Sequence, residues 1–381
     1  MAAPVVITRD EARNALVRHL ALDRPTGTGR AGIRRVLERL RCIQLDPLDA
    51  IGTNADLVVM ARVTGAERGD VWSALFPDAG FEHFAKERCI LPASSFPWYR
   101  ERGHRAQAPW WRHHEREARV EPRAVEAVLE EIRERGPLTL REMTDHGSVM
   151  PLDWSGWMGT SKATTMALEI LWTRCEVVVA GRDASGAKIY DIPSRTLGPF
   201  AAAPAEGDFA RWALHERVTA AGLLSRAGGS HWSMLGEIRT SALPDEMIEA
   251  GELVEVSIEG SPRKYLALPS FLARRRSRFD DRVRILGPLD PLLWDRNLVR
   301  HAFEFEYAWE VYKPEHLRRW GWYVCPLLFR DRLVGRVDAR VEKNVLRVKK
   351  LWIESEIERP LIRAALEDHA RRCGARRIRG I

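Results

Sequence analysis

The chain has 381 residues, 45% hydrophobic and 30% charged, which suits two to four packed domains at roughly 100–200 residues each and excludes a disordered or membrane-embedded class. No run approaches the roughly 18 apolar residues of a membrane span, and no basic stretch leads into an apolar one at the start, so no signal peptide is evident and a cytoplasmic protein is expected. The formal charge of +7 rests mainly on Arg and favours a polyanion, although a GC-rich genome would produce the same bias.

Five dispersed cysteines without a Cys-x-x-Cys pair fit a reducing compartment and offer no zinc site. Thr8 and Glu11 have the spacing of a capping box, and Ala12, Leu16 and Leu20 continue a helical stripe. Ile33, Val36, Leu37 and Leu40 form a second stripe, which runs into Cys42-Ile43-Gln44-Leu45-Asp46-Pro47-Leu48-Asp49. Pro47 pushes Asp46 into extended geometry, so Gln44 and Asp46 point to one side while Ile43 and Leu45 point to the other. A carboxamide beside a carboxylate can hold a water and stabilise a positive charge. A turn whose Asp caps the next element explains the same residues. Asn54 is placed to cap a helix through Leu57 and Val58, or to face the same cleft as the pair. A short helix near Asp70–Leu75 and a strand at Phe81–Phe84 follow.

Trp98–Arg119 mixes Trp, Arg and His. It suits either nucleic-acid contact or a helical connector packed through Trp110 and Trp111. A second unit, 121–204, has a stripe at Val125, Val128, Leu129 and Ile132. Leu138–Glu142 reads as a short strand and then a short helix. Thr160–Leu171 is a helix capped by Thr160 or Ser161, and Glu176–Ala180 with Lys188–Ile192 forms a hairpin. A third unit, 205–272, repeats the pattern: helices at Phe209–Ala221, from Ser230, and at Pro244–Ala250, then a hairpin of Leu253–Ile258 and Lys264–Ala267. Three helices closed by a hairpin is the winged-helix pattern. Arg274, Arg275, Arg276 and Arg278 form either a phosphate-binding patch or a solvated linker. Strands expected at Arg284–Leu286, Ala302–Tyr307, Trp322–Leu328, Arg332–Ala339 and Val345–Trp352 suggest a small barrel, closed by a helix at Ile357–His369. The whole reads as an α+β chain with three tandem winged helices (1–120 with its connector, 121–204, 205–272) and a C-terminal β-barrel with a terminal helix (273–381).

Gly287-Pro288-Leu289-Asp290-Pro291-Leu292-Leu293-Trp294-Asp295-Arg296, Phe305–Tyr312 and Gly335-Arg336-Val337-Asp338 strongly resemble signatures of the YcaQ-like winged-helix DNA glycosylases. Gln44-Leu45-Asp46 and Ile189–Arg195 extend the likeness over nearly the whole chain. The resemblance implies a cofactor-free monomeric clamp on duplex DNA that unhooks interstrand crosslinks, with a nucleoid-associated location. It makes Gln44 and Asp46 the catalytic pair, in the Gln-x-Asp form associated with general repair of alkylated DNA. Trp294, Arg296 and Arg336 belong to its signatures, although Arg336 and Asp338 also suit a structural ion pair in the barrel. Two departures from the family pattern are Lys86, where a His often stands, and Thr165-Met166-Ala167-Leu168, whose nearest lysine is Lys162.

N7-alkylguanine is already a good leaving group, so hydrolysis needs mainly a stabilised oxocarbenium ion and a placed water. Asp46 fits the first need and Gln44 the second. The expected DNA contacts are Asn54, Lys162, Arg274, Arg275, Arg276, Arg278, Trp294, Arg296 and Arg336. The competing readings are a regulator or damage-binding protein without catalysis, and an RNA-binding or scaffold protein.

Overall fold

The computed structural model describes residues 4–102, 110–152, 159–273 and 278–380. They fall into two compact units, one of Met1–Val71, Lys86–Cys89 and Asp208–Ile381, the other of Trp72–Ala85 and Ile90–Gly207. Among the described residues no helix is long and apolar enough to cross a membrane.

The larger unit begins with a strand, Val5–Ile7, that pairs in parallel with Val254–Ile258. The four-stranded sheet runs Val5–Ile7, Val254–Ile258, Lys264–Ala267, Leu224–Ser225. Helix Arg9–His19 starts at the Thr8–Glu11 capping box and buries Ala12, Leu16 and Val17. Helix Gly29–Leu40 buries Ile33, Val36, Leu37 and Leu40, and packs against helix Phe209–Ala221. A left-handed Arg41 ends it and turns the chain into the two-residue strand Ile43–Gln44. The next helix, Asn54–Met60, is capped by Thr53 and Asp56, so Asn54 lies inside its first turn and is not its cap.

The C-terminal sheet has five strands in the order Val283–Ile285, Val324–Phe329, Arg332–Glu342, Val345–Ile353, Arg377–Arg379. Register shifts between Leu327 and Leu328 and between Asp338 and Ala339 bend it. The sheet curls as a half-barrel and is not closed, because its two terminal strands do not pair with each other. Helix Arg359–Arg372 fills it with Ile362, Leu366 and Ala370. Ala50, Ile51 and Leu57 join the same core, and Val341 N–H donates to Ala50 O at 2.8 Å. The strand expected at Ala302–Tyr307 is absent. Asp295 accepts from the N–H groups of Asn297 and Leu298 and starts helix Arg296–Phe303, which buries Leu298, Val299, Ala302 and Phe303 at helical spacing.

In the smaller unit, helix Pro122–Arg135 buries Val125, Val128, Leu129 and Ile132, and packs on helix Ala163–Thr173. The hairpin Val178–Arg182 and Lys188–Asp191 pairs with Leu138–Thr139. Turns replace the short helix expected after Leu138–Thr139. Neither Thr160 nor Ser161 caps helix Ala163–Thr173. Its N-cap is Lys162, and Ser161–Lys162 pairs with Ser148–Val149.

Candidate active site

The loop after Ile43–Gln44 is a turn made by an aspartate before a proline. Asp46 Oδ1 accepts from Leu48 N–H at 2.9 Å, which closes the turn, but Asp46 caps no element, since the next helix takes its cap from Thr53. That bond occupies one carboxylate oxygen. Among the described residues no cation pairs with Asp46, and burial raises its pKa, offset in part by the Leu48 N–H. Burial, together with negative charge on Cys325, Asp46 and Asp49, holds the buried Tyr323 hydroxyl well above its usual range.

Gln44 is 7% exposed and held at both of its oxygens. Its backbone carbonyl accepts from Asn54 Nδ2 at 2.8 Å, and its Oε1 accepts from Lys86 Nζ at 2.9 Å. Among the described residues nothing hydrogen-bonds Gln44 Nε2. Leu45 N–H donates to Arg88 O at 2.8 Å, which keeps the Lys86–Cys89 segment against the motif.

Asn54 is 1% exposed and joins two loops. Besides Gln44 it touches the Gly287–Trp294 loop, where its Oδ1 accepts from Leu289 N–H at 3.1 Å. A Cβ at position 287 would lie 2.5 Å from Asn54 Oδ1, so only glycine lets the loops approach this closely. Below them lies an ion pair with no exposure on either side: Arg62 donates to Asp290 at 2.7 and 3.0 Å. The same guanidinium donates to Leu20 O at 2.7 Å and Val58 O at 3.0 Å. Trp294 closes the arrangement. Its Nε1 donates to Leu289 O at 3.0 Å, and Lys86 Nζ stands 5.3 Å from its ring centre.

The structure thus brings together Gln44, Asn54 and Trp294, adds Lys86 and the Arg62–Asp290 pair, and leaves Asp46 two residues along the loop from Gln44. Asn54 and Trp294 are buried and hydrogen-bonded within the fold. Arg336 is also withdrawn from solvent. It pairs with Glu354 at 2.5 and 2.9 Å, not with Asp338, donates to Glu306 O at 2.9 Å, and lies between the Phe305 and Trp320 rings at 4.1 and 3.8 Å. Arg296 and Arg278 are exposed. Arg278 lines a cleft of about 800 Å³ with Arg18, Arg24 and Arg39. Lys162 is exposed in the smaller unit and pairs with Asp145 at 3.0 Å. Arg274, Arg275 and Arg276 lie outside the described residues. His113 and His114 both contact Glu117, and among the described residues no group of His, Cys, Asp and Glu is placed to hold a metal ion.

The sequence model of the family described as DNA glycosylase AlkZ-like matches residues 37–376, which takes in the motif loop, the Gly287–Trp294 loop and most of the curled sheet. This chain belongs to the AlkZ-like DNA glycosylase family. Streptomyces sahachiroi DNA glycosylase AlkZ is a similar solved structure, with a TM-score of 0.60 and 18% identity over 99% of this chain and 100% of that chain. At that identity the likeness concerns the fold. For an AlkZ-like glycosylase, whose substrate is DNA, the chemistry on offer here is narrow. One carboxylate oxygen has no partner among the described residues, and one amide presents its donor side.

Proposed function

We propose that this AlkZ-like protein hydrolyses the N-glycosidic bond of N7-alkylated guanine in duplex DNA, including one arm of an interstrand crosslink, as a monofunctional enzyme without a cofactor. The observation that carries the reading is Asp46: half-buried, anchored by one backbone N–H, and without a counter-ion among the described residues. A carboxylate left unneutralised in a partly desolvated place is suited to meet positive charge that develops during a reaction. The cationic leaving base departs without strong acid assistance. The sugar passes through an oxocarbenium-like state, which the Asp46 carboxylate stabilises. A water that accepts a hydrogen bond from Gln44 Nε2 and donates one to Asp46 keeps a lone pair for C1′. Asp46 then takes its proton as attack proceeds.

We further read the helix-and-hairpin units as winged helices and the exposed Arg278, Arg296 and Lys162 as phosphate contacts. A base tethered to both strands resists full extrusion, so bent DNA over an open site fits this substrate better than a deep pocket. The test is a duplex carrying one N7-methylguanine, or a nitrogen-mustard crosslink, incubated with the protein and cleaved with alkali. Strand scission at the lesion is expected with the wild type and not with Asp46→Asn. No abasic product from the wild type on either duplex defeats the reading.

A further inference from the structure

Lys86 is the group at this site that neither the turn nor the carboxylate chemistry explains. It is 4% exposed and, among the described residues, pairs with no carboxylate. Burial lowers the pKa of its amine. A buried ammonium is costly unless its donors are used, and the structure uses them in one direction: Nζ to Gln44 Oε1 at 2.9 Å, over the Trp294 ring at 5.3 Å. Its own backbone is held in turn, with Lys86 O accepting from Cys89 Sγ at 3.1 Å.

The geometry points to Lys86 as a positioning residue that fixes which face of the Gln44 amide meets the substrate. This rests on the reading of Gln44 and Asp46 as the catalytic pair. A glutamine amide is nearly symmetric in shape, but one end accepts and the other donates. Left alone, Gln44 would present either end. An ammonium, with three N–H donors and no lone pair, accepts only the orientation that gives it Oε1. The flipped amide would set the Nε2 donors against Nζ and leave buried donors facing each other unpaired. Gln44 is therefore held with Nε2 as the end left to donate, two residues before the Asp46 carboxylate that accepts. A donor and an acceptor together define the placement of one water; two acceptors would not.

The contact of the lysine with Gln44 suggests another role, an amine that attacks C1′ itself. That step would form a C–N bond, expel the base and leave an imine once the ring opens. The geometry argues against it, since Nζ is enclosed between Gln44 Oε1 and Trp294. Borohydride, which reduces such an imine to a stable protein–DNA adduct, separates the two roles.

The experiment is a double-mutant cycle on the full-length protein with an N7-methylguanine duplex, read as single-turnover rate and duplex Kd. Lys86→Met, which keeps length and removes the donor, is expected to slow the wild type about tenfold at nearly unchanged Kd. In a Gln44→Ala background the same change is expected to have no further effect, because the amide through which Lys86 acts is gone. A role confined to stability would give additive losses that follow the melting temperature. If Lys86→Met does not fold, the cycle is run with Lys86→Gln, which retains a donor. That variant is expected to lose less than tenfold in the wild type and nothing in the Gln44→Ala background. Additive losses in the cycle, or a borohydride-trapped adduct on Lys86, overturn the positioning role alone. A wild type that yields no abasic product overturns the catalytic reading and this one with it.

Discussion

Leu45-Asp46-Pro47-Leu48 and Leu289-Asp290-Pro291-Leu292 are the same tetrapeptide, 244 residues apart, and they share one local hydrogen bond, although Pro291–Leu293 goes on as a 3-10 helix and Pro47–Asp49 stays a loop. In each, proline holds the preceding aspartate extended, and the aspartate accepts from the leucine N–H two residues on, at 2.9 Å for Asp46 and 3.1 Å for Asp290. Asn54 holds the two stretches together through Gln44 O and Leu289 N–H. There the likeness ends. Asp290 has no exposure and receives two N–H groups from Arg62, so its charge is fully compensated. Asp46 is half-buried and has no cation partner among the described residues. A tetrapeptide sets a turn; what stands opposite the carboxylate decides whether it holds the fold or waits for a substrate.

The largest effects should come from replacing each aspartate with asparagine. Asp46→Asn is expected to lower the single-turnover rate by about 10²–10⁴-fold while leaving duplex Kd nearly unchanged. Asp290→Asn strands the buried Arg62 charge and is expected to cost about 3–5 kcal/mol of stability, with the rate per folded molecule preserved. Denaturant unfolding and lesion cleavage on both variants check this. If Asp290→Asn abolished turnover at full stability, or Asp46→Asn unfolded the chain, the contrast would be reversed.

The pH dependence sharpens the same contrast. Burial holds the Asp46 pKa above its ordinary value, and a base must be ionised to act. The rate should therefore rise with pH through a midpoint above the ordinary aspartate value and then level off. The sign for stability is opposite. A carboxyl whose folded pKa is raised contributes stability below its unfolded pKa and loses it as pH rises through the folded one. Asp46→Asn should thus melt no lower than the wild type at neutral pH, as expected of a charge kept for chemistry. A rate that does not fall as the pH is lowered from neutrality into the acid range removes Asp46 as the titrating base.

Local order was legible from sequence where it rests on local rules. The Thr8–Glu11 capping box, the Ile33–Leu40 stripe and the two hairpins follow from spacing and turn residues. Pro47 alone announces the turn at Asp46. What escaped the sequence depends on partners far along the chain. Val5–Ile7 pairs with Val254–Ile258, and Arg377–Arg379 adds in parallel to Val345–Ile353, with no local signal for either. Alternating apolar residues near Phe303, Phe305 and Tyr307 imitate a strand, but the Asp295 cap and a four-residue apolar face win. Lys86 stood out only as a departure from a family pattern, and the bond that gives it meaning spans 42 residues. Arg336 looked available for DNA because sequence does not show that Glu354, Phe305 and Trp320 enclose it.

A smaller effect is expected on the segment that follows Asp46. His369 Nε2 donates to Ile51 O at 2.7 Å in a buried place, and burial holds its pKa down at about 4. A folded pKa depressed below the unfolded value of about 6.5 gives stability that is present above that value and lost as pH falls through about 4. The loss should approach about 3 kcal/mol at the acid end, since each tenfold change in proton affinity is worth about 1.4 kcal/mol. His369→Gln keeps a donor and should flatten this part of the acid unfolding curve without moving the Asp46 midpoint. A change in both together would mean that acid inactivation follows the Ile51 anchor and not the carboxylate.

The smallest effect separates exposed arginine from enclosed arginine. Arg278 lines its cleft with Arg18, Arg24 and Arg39, and its exposed side chain is free to release counter-ions when a phosphate binds. Arg278→Ala should leave the rate at saturating protein unchanged and the melting temperature within about a degree or two, as surface changes do. It should lower the slope of log Kd against log salt by about one. Arg336→Lys should do the reverse, because a lysine cannot reproduce the two-point contact with Glu354 while stacked between Phe305 and Trp320. Its salt slope should match the wild type while stability falls. Equal slopes for Arg278→Ala and the wild type would place this cleft away from the DNA and leave Arg296 and Lys162 as the exposed cations to examine by the same titration.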